Sequence, residues 1–425
     1  MREIMALAQS QQFKHQGAGR DLQKDLLGKY YTDLSTANER GQPVAYLFVP
    51  GNVVELLRVF DFAVVYPEIN ALQCGIKKVA GPNILKAEDF GYSSDVCGYV
   101  KNDIGLFLSD RQSPFGKLPK PDLLVCNYSG CNTFIKWFEA LAEFTGAEMF
   151  LLDIPYLRED EVRAEDRDYI VRQLEELAAV CSRISGKPFD REKLRRVVEL
   201  SAQAEDSWSQ ILHMARLRPA PFDAYFEAVF FMAPMNVLRG TEDCVRYNEA
   251  VLREMLERVE HRIGPVPEEK VRVVFEGPPP WPHFRAFWEL FKKWGVASVA
   301  STYAKVGGIF EYGFRHDPHH PLESIADYAM SCYTNLHWGL RRDLIQRYVK
   351  DFGADALVIH SVKSCRSFSV GQADLREVFS HELGVPTLMV ESDLADPRYF
   401  QEAQLRNRVD AFFESLEHQR LTKGA

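Results

Sequence analysis

Three cysteines stand in loops of a kind that carries chemistry. Cys97 follows Ser93–Ser94–Asp95 near a helix start, Cys131 follows Ser129–Gly130 after an apolar strand, and Cys365 follows Lys363–Ser364 after another. Small neighbours let backbone amides approach a ligand closely. Converging N–H donors are what the sulfides of an iron–sulfur cluster need, and they tune its potential. The spacing is dispersed, with no CxxCxxC run. From the residues alone two readings stand: a shared cluster, or thiols that fill small gaps beside a cleft. Cys126, at the end of the strand before Cys131, is either a further ligand or a core thiol, since free cysteine is among the most buried residue types. Cys74, Cys181 and Cys244 read as structural, and Cys332 as structural or site-lining.

Other reactive types carry plainer alternatives. His316, His319 and His320 in RHDPHHP have the look of a metal cluster, but a solvated loop is the simpler reading; His316 beside Arg315 and Asp317 is also a candidate proton donor. His360, five residues before Cys365, is another candidate proton donor, but on an apolar strand a satisfied core histidine is the simpler reading. Lys363 either steadies an anionic group near Cys365 or is a solvated loop lysine. The prolines at 278–280 and 282 have the look of a ligand for proline-binding modules, but between a strand and a helix a rigid turn is the simpler reading. KVGG at 305–308 is too short for a phosphate loop, and without a Walker motif the chain is not expected to hydrolyse ATP.

The elements that must position these residues are legible as βαβ units. Ala356–His360 is a short, apolar, β-branched run, as a buried parallel strand should be. It ends at the Cys365 loop. A helical pattern follows from about Ala373 to Leu383, Gly384 and Pro386 end it, and Thr387–Val390 is a second strand. Asp122–Cys126, the Cys131 loop, Phe134–Phe144 and Met149–Ile154 repeat that plan. Val271–Phe275, the proline turn, His283–Trp294 and Ala297–Ser301 form a third unit. Val44–Val49 is a strand, turned by Pro50–Gly51–Asn52 into a helix over Val53–Val65. Ser93 or Ser94 is expected to cap the helix after Cys97. Cysteines at carboxyl ends of strands lie where open α/β sheets bind ligands.

These pieces imply an α/β chain with two Rossmann- or flavodoxin-like parallel-sheet domains and a helical section between them. The expected divisions are an N-terminal helical arm over 1–41, a first α/β domain over 42–156, a mostly helical section over 157–265 and a second α/β domain over 266–425. The aromatic run Phe222–Asn236 should cross the core. At 425 residues the chain exceeds one ordinary core. A hydrophobic share of 46% with 26% charged residues is that of a globular protein. A formal charge of −9 argues against nucleic acid as a main partner. The N-terminus lacks an apolar signal core, and Val44–Tyr66 is broken by Glu55, Arg58 and Asp61, so neither export nor a membrane span is expected. The eight cysteines then belong in a reducing cytoplasm.

Longer motifs add a resemblance. SDVCGYVK around Cys97, PDLLVCNYSGCNTFIKWFEALA around Cys131 and KSCRSFS around Cys365 resemble the three cluster motifs of the benzoyl-CoA reductase and 2-hydroxyacyl-CoA dehydratase family. FVPGN at 48–52, PYLR, DAYF at 223–226, EGPPPW at 276–281, SxYxKVGG at 301–308, FRHDP at 314–318, ADYAMSCYTN at 326–335 and DPRYF at 396–400 are similar to the B-type reductase subunits more than to the dehydratases. The resemblance implies a [4Fe–4S] cluster held by Cys97, Cys131 and Cys365, and names no catalytic residue. It implies a homologous C-type partner subunit and a dimeric ATPase that carries the ATP, a further cluster and the electron supply. It implies one-electron reduction of an aryl-CoA ring to a cyclic dienoyl-CoA through a radical anion. Two alternatives accompany it: a subunit of a 2-hydroxyacyl-CoA dehydratase using ketyl radicals, and a non-catalytic electron-relay or scaffold subunit.

Overall fold

A computed structural model describes residues 18–307 and 314–423. Among these, eight strands form two four-stranded sheets, beside a small hairpin of Gln112–Ser113 and Gly116–Lys117. The first sheet comprises β1 (Val44–Leu47), β2 (Ala63–Val65), β3 (Leu123–Tyr128) and β4 (Glu148–Asp153), in the order β2-β1-β3-β4. The second comprises β5 (Val271–Glu276), β6 (Val296–Ser301), β7 (Ala356–Val362) and β8 (Thr387–Ser392), in the order β8-β7-β5-β6. Every pairing within the two sheets is parallel. The first sheet, counted from its own first strand, runs 2-1-3-4, the flavodoxin-like order. Cys131 and Cys365 each follow the third strand of their respective sheets in chain order.

The strands read as continuous apolar runs because both faces are covered. β1, β5, β6 and β7 are buried throughout. β4 is an edge strand with its outer side chains exposed. One strand escaped the sequence pattern. Val53–Val65 is not a single helix: the helix covers Val54–Val59, and β2 takes the last three residues. Asp61 turns the chain with φ of 58°, held by Lys187 at 2.5 Å and Lys193 at 2.7 Å. Val44 then pairs with Ala63 and Tyr46 with Val65.

Helices Ala164–Ser185, Arg191–Met214, Ala228–Val237 and Glu242–Glu260 follow the first sheet. Asp190 and Thr241 accept backbone N–H bonds from Lys193 and Cys244, capping the second and fourth of them. The Phe222–Asn236 run is buried over most of its length and ties these helices to the second sheet. Asp223 accepts the amides of Tyr225 and Phe226 through one oxygen and that of Ser298 on β6 through the other. The helix Ala18–Ser35 packs against the Ala228–Val237 and Glu242–Glu260 helices; residues 1–17 of the expected arm lie outside the described residues. Lys305–Gly307 of KVGG belong to a 3-10 turn, and Gly308 lies outside the described residues. Among the described residues no helix is long and apolar enough to cross a membrane.

Arg272, 1% exposed at the start of β5, locks the helical section to the second sheet. It donates to the carbonyls of Phe352, Leu217 and Ala215 and to the Glu269 carboxylate at 2.5–3.0 Å. Replacing it with Met leaves Glu269 and three carbonyls without their donor. R272M is expected to lower unfolding free energy by about 3–5 kcal/mol, measured by urea titration.

Candidate functional site

Each of the three loop cysteines opens a helix. Cys97 is the N-cap of Gly98–Phe107, Cys365 that of the short turn Arg366–Ser369, and Cys131 precedes the cap residue Asn132 of Thr133–Thr145. The helix after Cys97 is thus capped by the cysteine itself; Ser93 instead accepts the Asp95 amide in the preceding turn. Polar bonds stitch the three loops together. The Gly98 amide donates to Ser364 Oγ at 3.1 Å, and Ser367 Oγ donates to the Gly130 carbonyl at 3.0 Å. Asp393, just past β8, accepts the amides of Ser364, Ala395 and Asp396. The Cys365 loop thereby holds both other cysteine loops.

All three cysteines line one cavity of about 810 Å³ between the carboxyl ends of the two sheets. Its walls are largely aromatic and aliphatic: Phe134, Trp137, Trp281, Tyr303, Phe368 and Leu394 are among them. Burial pushes the Cys97 thiol well up, and Cys365 and Cys131 beside it push further. Burial and then Cys131 raise Cys365 to about 12, and burial raises Cys131. The main cause is burial in a dry space, and at Cys97 and Cys365 a neighbouring thiol adds to it. Opposing it, the Tyr99 and Val100 amides favour the Cys97 thiolate, the Phe368 amide that of Cys365, and Thr133 and Ser367 that of Cys131.

This donor set fits a [4Fe–4S] cluster with three protein ligands. Among the described residues no group of three or more His, Cys, Asp or Glu is placed to hold a single metal ion. A cubane asks for a different arrangement, since each thiolate binds a different iron around a shared core. A cationic core would also offset the burial that raises the thiols. The N–H donors at the three helix starts would favour a sulfur-rich group there.

The remaining cysteines sort differently. Cys126 is fully buried within β3, a core thiol raised to about 12 by burial, and Cys332 is buried beside Thr334. Neither lines the cavity. Cys74, Cys181 and Cys244 are buried. His360 is a core histidine satisfied by the Pro278 carbonyl and Ser392 Oγ, at 2.5 and 2.6 Å. Lys363 is exposed and lies over the Tyr399 ring at 4.4 Å. His319 and His320 are exposed, but His316 is neither solvated nor in the cavity. It is buried between Glu205, at 2.5 Å, and Glu55, at 3.7 Å; burial lowers its basicity, and the two carboxylates more than restore it. The Pro278–Pro282 stretch is the rigid turn, entering a 3-10 helix at Trp281.

Sequence reasoning missed Glu68. It sits in the first turn of Pro67–Ile76, just after β2, and lines the cavity. Its Oε2 accepts the Val49 amide at 2.6 Å. Burial pushes its carboxyl up to about 8 despite that bond. Tyr99 and Tyr303 also face the cavity, their hydroxyls bonded to one another, with the Trp281 indole donating to Tyr99.

Two expectations follow from this geometry. Gly130 has φ of +76°, and a Cβ there would lie 2.0 Å from the Thr334 carbonyl oxygen. G130A is expected to shift the Cys131 loop and cost about 2–4 kcal/mol in denaturant unfolding, with faster alkylation of Cys131. Glu68 binds a proton up to about pH 8 when folded but only to about 4.5 when unfolded. The folded state therefore holds more protons between those values, and stability falls as pH rises from about 4.5 to about 8, then levels off. E68Q lacks that dependence, so its stability relative to wild type should rise steadily across the window in pH-resolved urea titrations.

Comparison with known proteins gives concordant matches. The family model for the 2-hydroxyglutaryl-CoA dehydratase D-component matches residues 49–416. The chain is 42% identical to the B subunit of benzoyl-CoA reductase from Thauera aromatica, covering 94% of each chain. It is 28% identical to the (R)-2-hydroxyisocaproyl-CoA dehydratase alpha subunit of Clostridioides difficile, over 93% of this chain and 95% of the other. It is 24% identical to the alpha subunit of (R)-2-hydroxyglutaryl-CoA dehydratase from Acidaminococcus fermentans, over 94% and 97%.

Proposed function

The chain belongs to the 2-hydroxyglutaryl-CoA dehydratase D-component family, and from that premise we propose that it is the B-type, substrate-handling subunit of an ATP-driven aryl-CoA reductase. The observation that carries the reading is the meeting of Cys97, Cys131 and Cys365 with Glu68 on one aromatic-walled cavity. The 42% identity to a benzoyl-CoA reductase subunit supports reductase over dehydratase. The substrate class is an aryl thioester of coenzyme A. The partners are a homologous C-type subunit and a dimeric ATPase that delivers electrons, within a hetero-oligomer in the cytoplasm.

Cys97, Cys131 and Cys365 hold a [4Fe–4S] cluster in this reading. When bound, that group supplies single electrons at low potential, in a range that burial and hydrogen bonding can tune. The chain's own residues do the rest. Phe134, Trp137 and Phe368 exclude water from the ring and stack against it. The low dielectric strengthens every polar contact made inside. Ring reduction to a diene adds two electrons and two protons. Glu68 keeps a proton at neutral pH because its carboxyl is pushed up to about 8, so it can release one to a reduced ring and recover it from solvent. The Trp281–Tyr99–Tyr303 hydrogen-bond chain fixes the Tyr303 hydroxyl toward the same space.

The test is iron and acid-labile sulfide per chain, in protein purified without oxygen alongside its partner subunits. C97A, C131A and C365A are each expected to lose about one cubane's iron, four atoms, whereas C126A keeps it. Wild-type iron in all three variants would overturn the assignment. Reductase and dehydratase separate by stoichiometry: a reductase consumes ATP and electrons at every turnover, and a dehydratase only on activation.

A further inference from the structure

The Trp281–Tyr99–Tyr303 chain has a direction, and the direction leaves one hydrogen unspent. An indole N–H only donates, so the Trp281 hydrogen goes to the Tyr99 oxygen. The Tyr99 hydroxyl is bonded in turn to that of Tyr303. A hydroxyl that accepts becomes the stronger donor, so Tyr99 passes its hydrogen on to the Tyr303 oxygen. Two hydroxyls that share one bond have one hydrogen left over, and here it is that of Tyr303. Among the described residues no acceptor is bonded to it. Tyr303, the tyrosine of SxYxKVGG, is buried and lines the cavity.

Each member of the chain is fixed by its own element. Tyr99 stands in the first turn of Gly98–Phe107. The Tyr303 amide donates to Ser301 Oγ at 3.1 Å, at the end of β6. The Trp281 amide donates to the Leu394 carbonyl at 3.1 Å, and its ring meets the Tyr303 ring edge-on at 5.8 Å. A Cβ on Gly75 would lie 2.9 Å from that of Trp281, so the indole is seated directly against the Pro67–Ile76 helix. The Tyr303 hydroxyl is thus aimed before any ligand arrives. The chain is also a dead end for protons: an indole does not release its proton in neutral water, so one lost from Tyr303 would not be replaced along it. Glu68 acts on Tyr303 through space only, and its Oε2 is taken by the Val49 amide. Burial keeps Tyr303 a neutral phenol, a donor of hydrogen bonds rather than of protons.

We propose that Tyr303 is a catalytic residue whose hydroxyl donates to the carbonyl oxygen of the bound thioester, with Tyr99 and Trp281 as its positioning residues. The inference rests on the aryl-CoA reading above and deepens it. One electron from a low-potential iron–sulfur donor enters the conjugated ring and carbonyl. No bond breaks, and the added charge is shared between the ring and the carbonyl oxygen. Tyr303 meets that oxygen without giving up its proton, and the protons that the ring takes up come from other groups, Glu68 among them. The bond exists in the bound thioester and strengthens as charge arrives, which is what lowers a barrier. A donor aimed in advance, in a water-poor site, needs no reorganisation at that moment.

The test is the carbonyl stretch of benzoyl-CoA carrying carbon-13 at its carbonyl, read by isotope-edited infrared difference spectroscopy. The protein is the anaerobic complex with its partner subunits, without ATP or reductant, so that the thioester is bound and not turned over. Y303F, which keeps the ring and loses only the hydroxyl, is expected to raise the frequency of the bound band. Y99F keeps the Tyr303 hydroxyl but removes the donor behind it, so its band should fall between the two. In turnover, Y303F is expected to lower kcat about 100-fold with little change in KM, the pattern of a lost transition-state donor. A bound band at the same frequency in wild type and Y303F overturns the inference alone, as does a Y303F that turns over at the wild-type rate. Should Y303F not fold, Y99F decides: a band unmoved from wild type overturns the inference, and a raised one supports it. A wild type that shows no bound thioester band overturns the functional reading as well.

Discussion

Two serine hydroxyls on the Cys365 loop hold the site together. Ser364 receives the Gly98 amide, and Ser367 donates to the Gly130 carbonyl. The first joins a helix start of one sheet to a strand end of the other; the second joins the ends of the two third strands. Three cysteines separated by tens to hundreds of positions are brought to one cavity by these bonds and the packing that shields them. A buried hydrogen bond contributes about 1 kcal/mol net, but an orphaned partner costs up to about 3, so such bonds fix position more than they add stability.

Charged groups reinforce the same junction. Lys101, fully buried in the helix after Cys97, bonds Glu88 and the Ser94 carbonyl and lies 3.7 Å from Asp396. Arg398 closes the set by pairing with both Glu88 and Asp396. Arg341 reaches the carbonyls of Thr334 and Ser367, and Thr334 reaches that of Ser129. Glu276, at the end of β5, is held by Thr302, Tyr333 and Gln372. Lys101 and Asp396 are the buried members of the ion-paired set, so removing either leaves the other without its buried partner. The motifs DPRYF, CYTN and EGPPPW therefore serve as seams between sheets, and Trp281 and Thr334 of the last two also line the cavity.

Much of this was legible. Short apolar runs marked β3, β5 and β7, and the small polar loops after β3 and β7 marked Cys131 and Cys365. β2 was not legible, because three residues adjoining a helix carry no period of their own; only pairing with β1 defines it. Glu68 was hidden by its ordinary setting, since an acid after proline in a helix's first turn reads as dipole compensation. His316 was misread because its partners, Glu205 and Glu55, are remote in sequence, and a His-rich, Pro-flanked loop carries no trace of them. Cys126 and Cys131 lie close in sequence, yet one faces the core and the other the cavity, a distinction made by where the strand ends.

The most direct measurement is anomalous diffraction at the iron edge, on crystals of the protein grown without oxygen in complex with its partner subunits. The expected result is a four-iron peak in the cavity between the two sheets, bounded by the sulfurs of Cys97, Cys131 and Cys365, with Glu68 on the same wall. Iron bound elsewhere on this chain, or a cavity without iron while the complex turns over aryl-CoA, would contradict the account.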